Sequence, residues 1–141
     1  MSRVFFDTNL FIYLLEETGA RSLRVRSILE RMSQRKDELL TSTLTLAEVL
    51  VKPLAAGDYA WADRYEKALT APGVSMLPFD RASARIYAQL RTDKTLKAPD
   101  AIQLACAAAA ACDLFITNDD RLSRRIVPGI QFIASMEAAF L

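Results

Sequence analysis

The sequence contains no histidine. A Ser-His-Asp triad, an imidazole acid/base pair and a histidine-ligated zinc are thereby excluded. Glycine is scarce, with four residues, and no Gly-rich phosphate loop occurs. The two cysteines, Cys106 and Cys112, stand six apart in an alanine-rich stretch and match neither a CxxC redox pair nor a zinc knuckle. They read as free, buried thiols suited to a reducing cytosol. No apolar run approaches the roughly 18 uninterrupted residues of a membrane span. Asp7 interrupts the opening apolar residues before a signal-peptide core could form. The expectation is a soluble, cytoplasmic protein without membrane association. Net charge is +1, from 18 basic and 17 acidic side chains, which argues against a mainly electrostatic, nonspecific nucleic-acid binder. Carboxylate chemistry remains, with or without a hard metal.

At 141 residues the chain suits one domain, expected to span 1–141. Short apolar runs alternate with longer helical patterns. Val4-Phe5-Phe6, Leu39-Leu40-Thr41, Val74 to Leu77 and Asp113 to Thr117 read as strands, with a fifth at Ile130 to Ile133. Between them, helices are expected over about 9–17, 22–35, 43–54, 58–70, 81–92 and 99–111, with a short segment from Arg121 to Ile126. Pro99 suits a first helical turn, and Asp58 and Asp80 suit caps. Near-continuous apolar strands alternating with helices indicate a parallel sheet covered on both faces. The expected fold is α/β, a three-layer α/β/α sandwich with a mainly parallel central sheet.

In such a sheet, ligands bind beyond the carboxyl ends of the strands. Asp7 directly follows the first strand, and Asp119 follows the fourth within Thr117-Asn118-Asp119. Asp100 lies at the start of a helix aimed at the same edge, and Glu48 lies one or two turns into the helix after the second strand. Each acid also has a purely structural reading. Asp7 could cap the helix from Asn9, Thr45 to Glu48 matches a capping box, Asp100 could compensate a helix dipole, and Asp119 or Asp120 could cap the next helix. Their joint placement is the signal. Clustered carboxylates repel, and a divalent cation relieves the repulsion. Mg²⁺ and Mn²⁺ prefer such oxygen ligands and can support phosphodiester hydrolysis without histidine.

Four pieces of sequence carry a resemblance. They are Phe6-Asp7-Thr8-Asn9, the run from Ser42 to Val49 with Glu48, the run from Ala98 to Ala105 with Asp100, and Leu114 to Asp119. In this order the chain resembles the PIN-domain ribonucleases, and in size and motif set the VapC-type toxins of type II toxin–antitoxin pairs. The resemblance implies a metal-activated water hydrolysing RNA, with Asp7, Glu48, Asp100 and Asp119 as catalytic residues. The same four acids would hold Mg²⁺ or Mn²⁺, with Asp7 and Asp100 the more direct ligands. Thr8, Asn9, Thr117 and Asn118 would hydrogen-bond the carboxylates and their waters. It further implies a homodimer and a cognate small antitoxin protein as partner. Asp120 leaves the fourth acid open between itself and Asp119, with Asp119 favoured because it stands two residues after Thr117. Leu122 also stands where the family often has an aromatic residue.

An RNA substrate needs positive charge. Arg121, Arg124 and Arg125, just past the fourth acid, are the phosphate-contact candidates, and Lys94 and Lys97 precede Asp100. The arginines between 21 and 35 read as an ordinary solvated face. Tyr13, Tyr59, Trp61, Tyr65 and Phe79 could stack bases, although such positions more often serve a core or an interface. An apolar groove between the 9–17 and 43–70 helices would fit an antitoxin helix. Three alternatives compete. A haloacid-dehalogenase-type phosphatase needs an acid two residues after its nucleophile, and Asn9 occupies that position. A catalytically silent PIN-like binding module would not need all four acids. A housekeeping RNA-processing nuclease without antitoxin shares the chemistry and differs only in biological role.

Overall fold

A computed structural model describes residues 1–139. Five strands, β1 (Arg3–Phe6), β2 (Glu38–Ser42), β3 (Val74–Leu77), β4 (Leu114–Thr117) and β5 (Phe132–Ser135), form one sheet in the order β3-β2-β1-β4-β5. Every pairing is parallel. Seven helices accompany them: α1 (Thr8–Glu16), α2 (Ala20–Arg35), α3 (Thr43–Ala55), α4 (Tyr59–Leu69), α5 (Arg81–Leu90), α6 (Ala98–Ala109) and the single turn α7 (Asp120–Ser123).

The apolar alternation of β1 divides the core. Val4 and Phe6 face one side, where they pack with Leu10, Phe11 and Tyr13 of α1, Val25 and Ile28 of α2, Val49 of α3 and Tyr65 of α4. Phe5 faces the other side, with Leu40, Phe115, and Ala101, Leu104, Ala107 and Ala108 of α6. Successive strand residues point to opposite faces, so a strand buried on both sides must be apolar throughout. Phe5 and Phe115 stack across the β1–β4 pair with ring centroids 4.9 Å apart. The three-layer architecture is therefore the one read from the sequence. Cys106 and Cys112 are free and buried, also as read. Among the described residues no helix is long and apolar enough to cross a membrane.

The element boundaries differ in places, each for a local reason. The fifth strand begins at Phe132 rather than Ile130. The Ile130 amide closes a turn on the Val127 carbonyl, and the ladder with β4 starts only at Phe132 opposite Leu114. Gly129 makes that turn possible. Its φ is +97°, and a Cβ there would stand 2.9 Å from the Ala108 carbonyl oxygen. Helix α7 stops at Ser123 instead of reaching Ile126, and helix α6 starts at Ala98, with Pro99 inside its first turn. Asp113 lies outside β4 because its carboxylate accepts the Arg3 amide proton at 2.7 Å.

The chain passes from β1 outward through β2 to β3, then returns to the other side of β1 for β4 and β5. The topological switch point thus falls between β1 and β4. Helices leaving neighbouring strands in opposite directions open a crevice there.

Candidate active site

Asp7 sits at the switch point. Its amide donates to the Ile116 carbonyl at 3.0 Å, extending the β1–β4 ladder by one residue. One carboxylate oxygen, Oδ1, accepts the Thr8 amide proton at 2.8 Å and so caps α1. The other, Oδ2, accepts the Thr117 hydroxyl proton at 2.8 Å. Capping and site-forming are therefore done by one side chain. Although Asp7 borders the crevice, protein surrounds nearly all of it, and this burial pushes its pKa up to about 6. The Thr117 and Thr8 hydrogen bonds oppose that rise, while the charges of Asp100 and Glu48 add to it.

Asp7, Thr8, Asn9, Glu48, Asp100 and Asp119 line one open cavity of about 270 Å³, together with Ile12, Pro99 and Gln103. All four acids singled out in the sequence are thus brought to one crevice. Glu48 does not close a capping box with Thr45. The α3 cap is Ser42, whose hydroxyl oxygen accepts the Thr45 amide proton at 3.4 Å. Glu48 Oε1 instead accepts the Thr8 hydroxyl proton at 2.6 Å.

Asp100 lies in the first turn of α6 and accepts no protein hydrogen bond among the described residues. Burial raises its pKa, the nearby Asp119 charge raises it further, and Lys97 counteracts. Asp119 caps α7, accepting the Arg121 and Leu122 amide protons at 2.9 and 3.3 Å. Asp120 is exposed and does not border the crevice, whereas Asp119 does.

The supporting polar residues divide. Thr8 and Thr117 bond the acids directly, and Asn9 borders the crevice. The Asn118 amide donates to the Tyr13 hydroxyl at 2.5 Å rather than to a carboxylate. Among the basic residues, Arg121 and Arg125 line a second cavity of about 140 Å³ with Lys97, Asp100 and Asp119, so it adjoins the first through two shared acids. Arg125 is held in place by Asp93 at 2.8 Å and Thr95 at 3.1 Å. Arg124 does not reach this wall and borders a different cavity beside Phe132 and Ile133. Tyr13 and Tyr65 belong to the core, while Tyr59 and Phe79 are exposed.

Gln103 is the residue of the crevice that sequence reading missed. It is buried on α6 one turn after Asp100, inside a run of alanines that reads as plain helix core.

The donor set fits a hard divalent ion. It consists only of oxygen ligands, and Asp100 is left without a protein donor. No three His, Cys, Asp or Glu side chains among the described residues close in as a ready-made ligand cage. A hard divalent ion can be held by one or two carboxylates with waters completing its shell.

The PIN domain family model matches residues 4–126. The chain belongs to the PIN domain family. A search of curated proteins by sequence finds no match. Among solved structures, the toxin–antitoxin complex from Klebsiella pneumoniae is 28% identical, with a TM-score of 0.69, covering 90% of this chain and 94% of that one. VapBC2 from Rickettsia felis, solved bound to a DNA fragment from its promoter, is 17% identical with a TM-score of 0.75, covering 94% and 98%. VapC20 from Mycobacterium tuberculosis, a sarcin–ricin-loop-cleaving toxin, is 16% identical with a TM-score of 0.67, covering 85% and 92%. These likenesses fix the PIN fold over nearly the whole described chain. In this PIN domain the acidic crevice lies where the fold opens its switch point.

Proposed function

We infer that this PIN-domain protein is a metal-dependent endoribonuclease and the toxin of a toxin–antitoxin pair. The observation that carries the reading is the meeting of Asp7, Glu48, Asp100 and Asp119 in one crevice, from four separate elements of the chain. Likeness to a toxin–antitoxin complex at 28% identity supports the biological role.

Asp7 and Asp100 would hold Mg²⁺ or Mn²⁺ directly, and Glu48 and Asp119 would hold it directly or through waters. When bound, the ion supplies Lewis acidity for activating water and positive charge for the phosphoryl oxygens. The protein's own part is positional. Thr117 and the Thr8 amide fix both oxygens of Asp7. Thr8 holds one oxygen of Glu48, leaving the other to orient the attacking water. Arg121, Arg125 and Lys97 line the adjoining cavity and would receive the flanking phosphates. Arg124 borders a different cavity and would contact RNA only outside this one. Asn9 would bond water in the crevice, whereas Asn118 is committed to the hydroxyl of the core residue Tyr13.

The chain would act as a single domain over 1–141, in the cytoplasm where its two free thiols remain reduced. It would act as a homodimer restrained by a small antitoxin. Val51 and Leu54 on α3 and Tyr59 on α4 are exposed large side chains on two of the helices expected to frame the groove for an antitoxin helix.

Purified protein freed of antitoxin should cleave RNA with Mg²⁺ or Mn²⁺ and stop on chelation. Asp7→Asn should abolish cleavage with the fold intact. Cleavage that survives both would sink the metal mechanism. Expression should arrest growth, and Asp100→Asn should lift the arrest; a nuclease that leaves growth untouched would be the housekeeping form.

A further inference from the structure

We propose that Gln103 is a positioning residue for Glu48, acting through the hydroxyl proton of Thr8; this rests on the nuclease reading of the crevice. The argument is one of proton direction. Beneath the crevice lies a buried polar chain joining β1, β2, α1, α3 and α6. It begins at the Phe6 carbonyl, which can only accept. Thr41 Oγ1 stands 3.1 Å from it and gives it its single proton. Thr41 is then only an acceptor toward Thr45 Oγ1, 2.9 Å away, so the Thr45 proton is spent on Thr41.

The group 2.7 Å from Thr45 on its other side must therefore donate. That group is Gln103 Nε2. Its carbonyl oxygen consequently turns to Ser42, whose hydroxyl donates to it. The second amide proton of Gln103 goes to Thr8 Oγ1 at 3.1 Å. Thr8, accepting from Gln103, has one proton left, and Glu48 Oε1 is its partner at 2.6 Å. The weaker alternative, Thr8 to Thr45, is longer at 3.4 Å and ends on an uncharged oxygen that already receives the Gln103 amide proton, so the Thr8 proton goes to the Glu48 carboxylate.

Gln103 is 2% exposed, and its two donors and one acceptor are all used. A buried amide is costly unless satisfied, and a fully satisfied one fixes a unique arrangement. Here the arrangement it fixes ends on an acid of the crevice. An apolar residue at this position would leave the buried Thr45 hydroxyl oxygen without its donor, and that oxygen would then compete with Glu48 for the Thr8 proton. Glu48 is otherwise exposed on its helix, with no further protein hydrogen bond among the described residues.

The test is Gln103→Met, which keeps length and apolar bulk, alone and combined with Thr8→Val. Mn²⁺ affinity of the purified protein is read by electron paramagnetic resonance, and RNA cleavage is read as kcat and KM. Gln103→Met should lower Mn²⁺ affinity and kcat by about 10-fold, with KM for RNA unchanged. In the Thr8→Val background it should produce no further loss of affinity, because the relay is already cut. A folded Gln103→Met protein with wild-type Mn²⁺ affinity overturns the proposal, as does a loss that simply adds to that of Thr8→Val.

If Gln103→Met does not fold, nuclear magnetic resonance of the unsubstituted protein decides. Mg²⁺ should shift the Gln103 side-chain amide proton signals, and Thr8→Val should remove the shift of one of them. Signals indifferent to saturating Mg²⁺, or shifts unaltered by Thr8→Val, overturn the role. Wild-type protein that binds no Mn²⁺ would instead overturn the nuclease reading.

Discussion

The Thr117 hydroxyl donates to Asp7 Oδ2 at 2.8 Å, so the last residue of β4 holds the first residue beyond β1. The same Thr117 oxygen accepts the Asp119 amide proton at 3.1 Å, so one side chain sets two of the four acids. Thr117→Val keeps the β-branched shape and deletes both bonds. It should lower stability at pH 7 by about 1–3 kcal/mol in urea unfolding, the cost of a buried acceptor left without its donor. The loss should shrink near pH 4–5, where Asp7 is protonated. An equal loss at both pH values would show that the bond to the ionised carboxylate is not its source.

Asp7 itself should make the metal-free protein less stable as pH rises. Its folded pKa of about 6 lies above the ordinary value of 3.8, so between these values the folded state holds the proton more tightly than the unfolded state does. Stability contributed by that proton is present at acid pH and is lost as pH rises toward and through 6. Asp7→Asn removes the penalty. The variant should be more stable than wild type at pH 7.5, by at most roughly 3 kcal/mol. The difference should vanish near pH 4. Thermal unfolding in the presence of chelator checks this, and an Asn variant less stable at pH 7.5 would contradict it.

Divalent ions should reverse that order. Ligand binding to the folded state alone contributes about 2.7 kcal/mol at 100 times the dissociation constant. Mn²⁺ should therefore raise the Tm of wild type at pH 7.5 and raise it less at pH 5, where Asp7 carries its proton. Asp7→Asn should show no metal-dependent shift at either pH.

Arg125 is predicted to act on substrate more than on stability. Its pair with Asp93 is exposed, and such pairs contribute little to folding. The Thr95 hydroxyl, then the Arg125 guanidinium and the Thr95 amide, hold Asp93 well below the usual carboxylate range. Arg125→Ala should raise KM for RNA and reduce the salt dependence of binding by about one counterion, leaving Tm nearly unchanged. Arg124→Ala, which alters the basic side chain outside this cavity, should affect KM less.

The two thiols should be unreactive in the native state. Burial pushes Cys112 up to about 12 and raises Cys106 as well. The thiolate is the nucleophile, so both should resist a thiol reagent at pH 8 until the protein is denatured. Rapid labelling of either in folded protein would contradict the burial of Cys106 on α6 and of Cys112 just after it.

Much of this was legible because each acid stands at a point the sequence itself marks. Val4-Phe5-Phe6 announces a strand buried on both faces, so Asp7 marks its end. Phe115-Ile116-Thr117 does the same for Asp119. Pro99 announces a helix start, and so locates Asp100. What was not legible depends on partners distant in the chain. Gln103 bonds residues 58, 61 and 95 positions away, and nothing in Ala101-Ile102-Gln103-Leu104 marks it as more than helix core. Glu48 read equally well as the end of a capping box until Ser42 proved to be the cap. The start of β5 was not legible because Ile130-Gln131-Phe132 alternates as a strand would, whereas the left-handed Gly129 turns the chain so that Ile130 bonds back to Val127 and pairing begins only at Phe132.

The return of the chain across β1 has a consequence for when the crevice can exist. The segment from 1 to 77 contains Asp7 and Glu48, whereas Asp100 and Asp119 arrive only with α6 and the end of β4. No contiguous half of the sequence holds the four acids, and the bond that fixes Asp7 spans 110 residues. A nascent chain emerging from its ribosome is therefore without its acidic crevice until nearly all of it has been synthesised and β4 has been laid beside β1. The order in which the strands are made sets when the four acids can first meet.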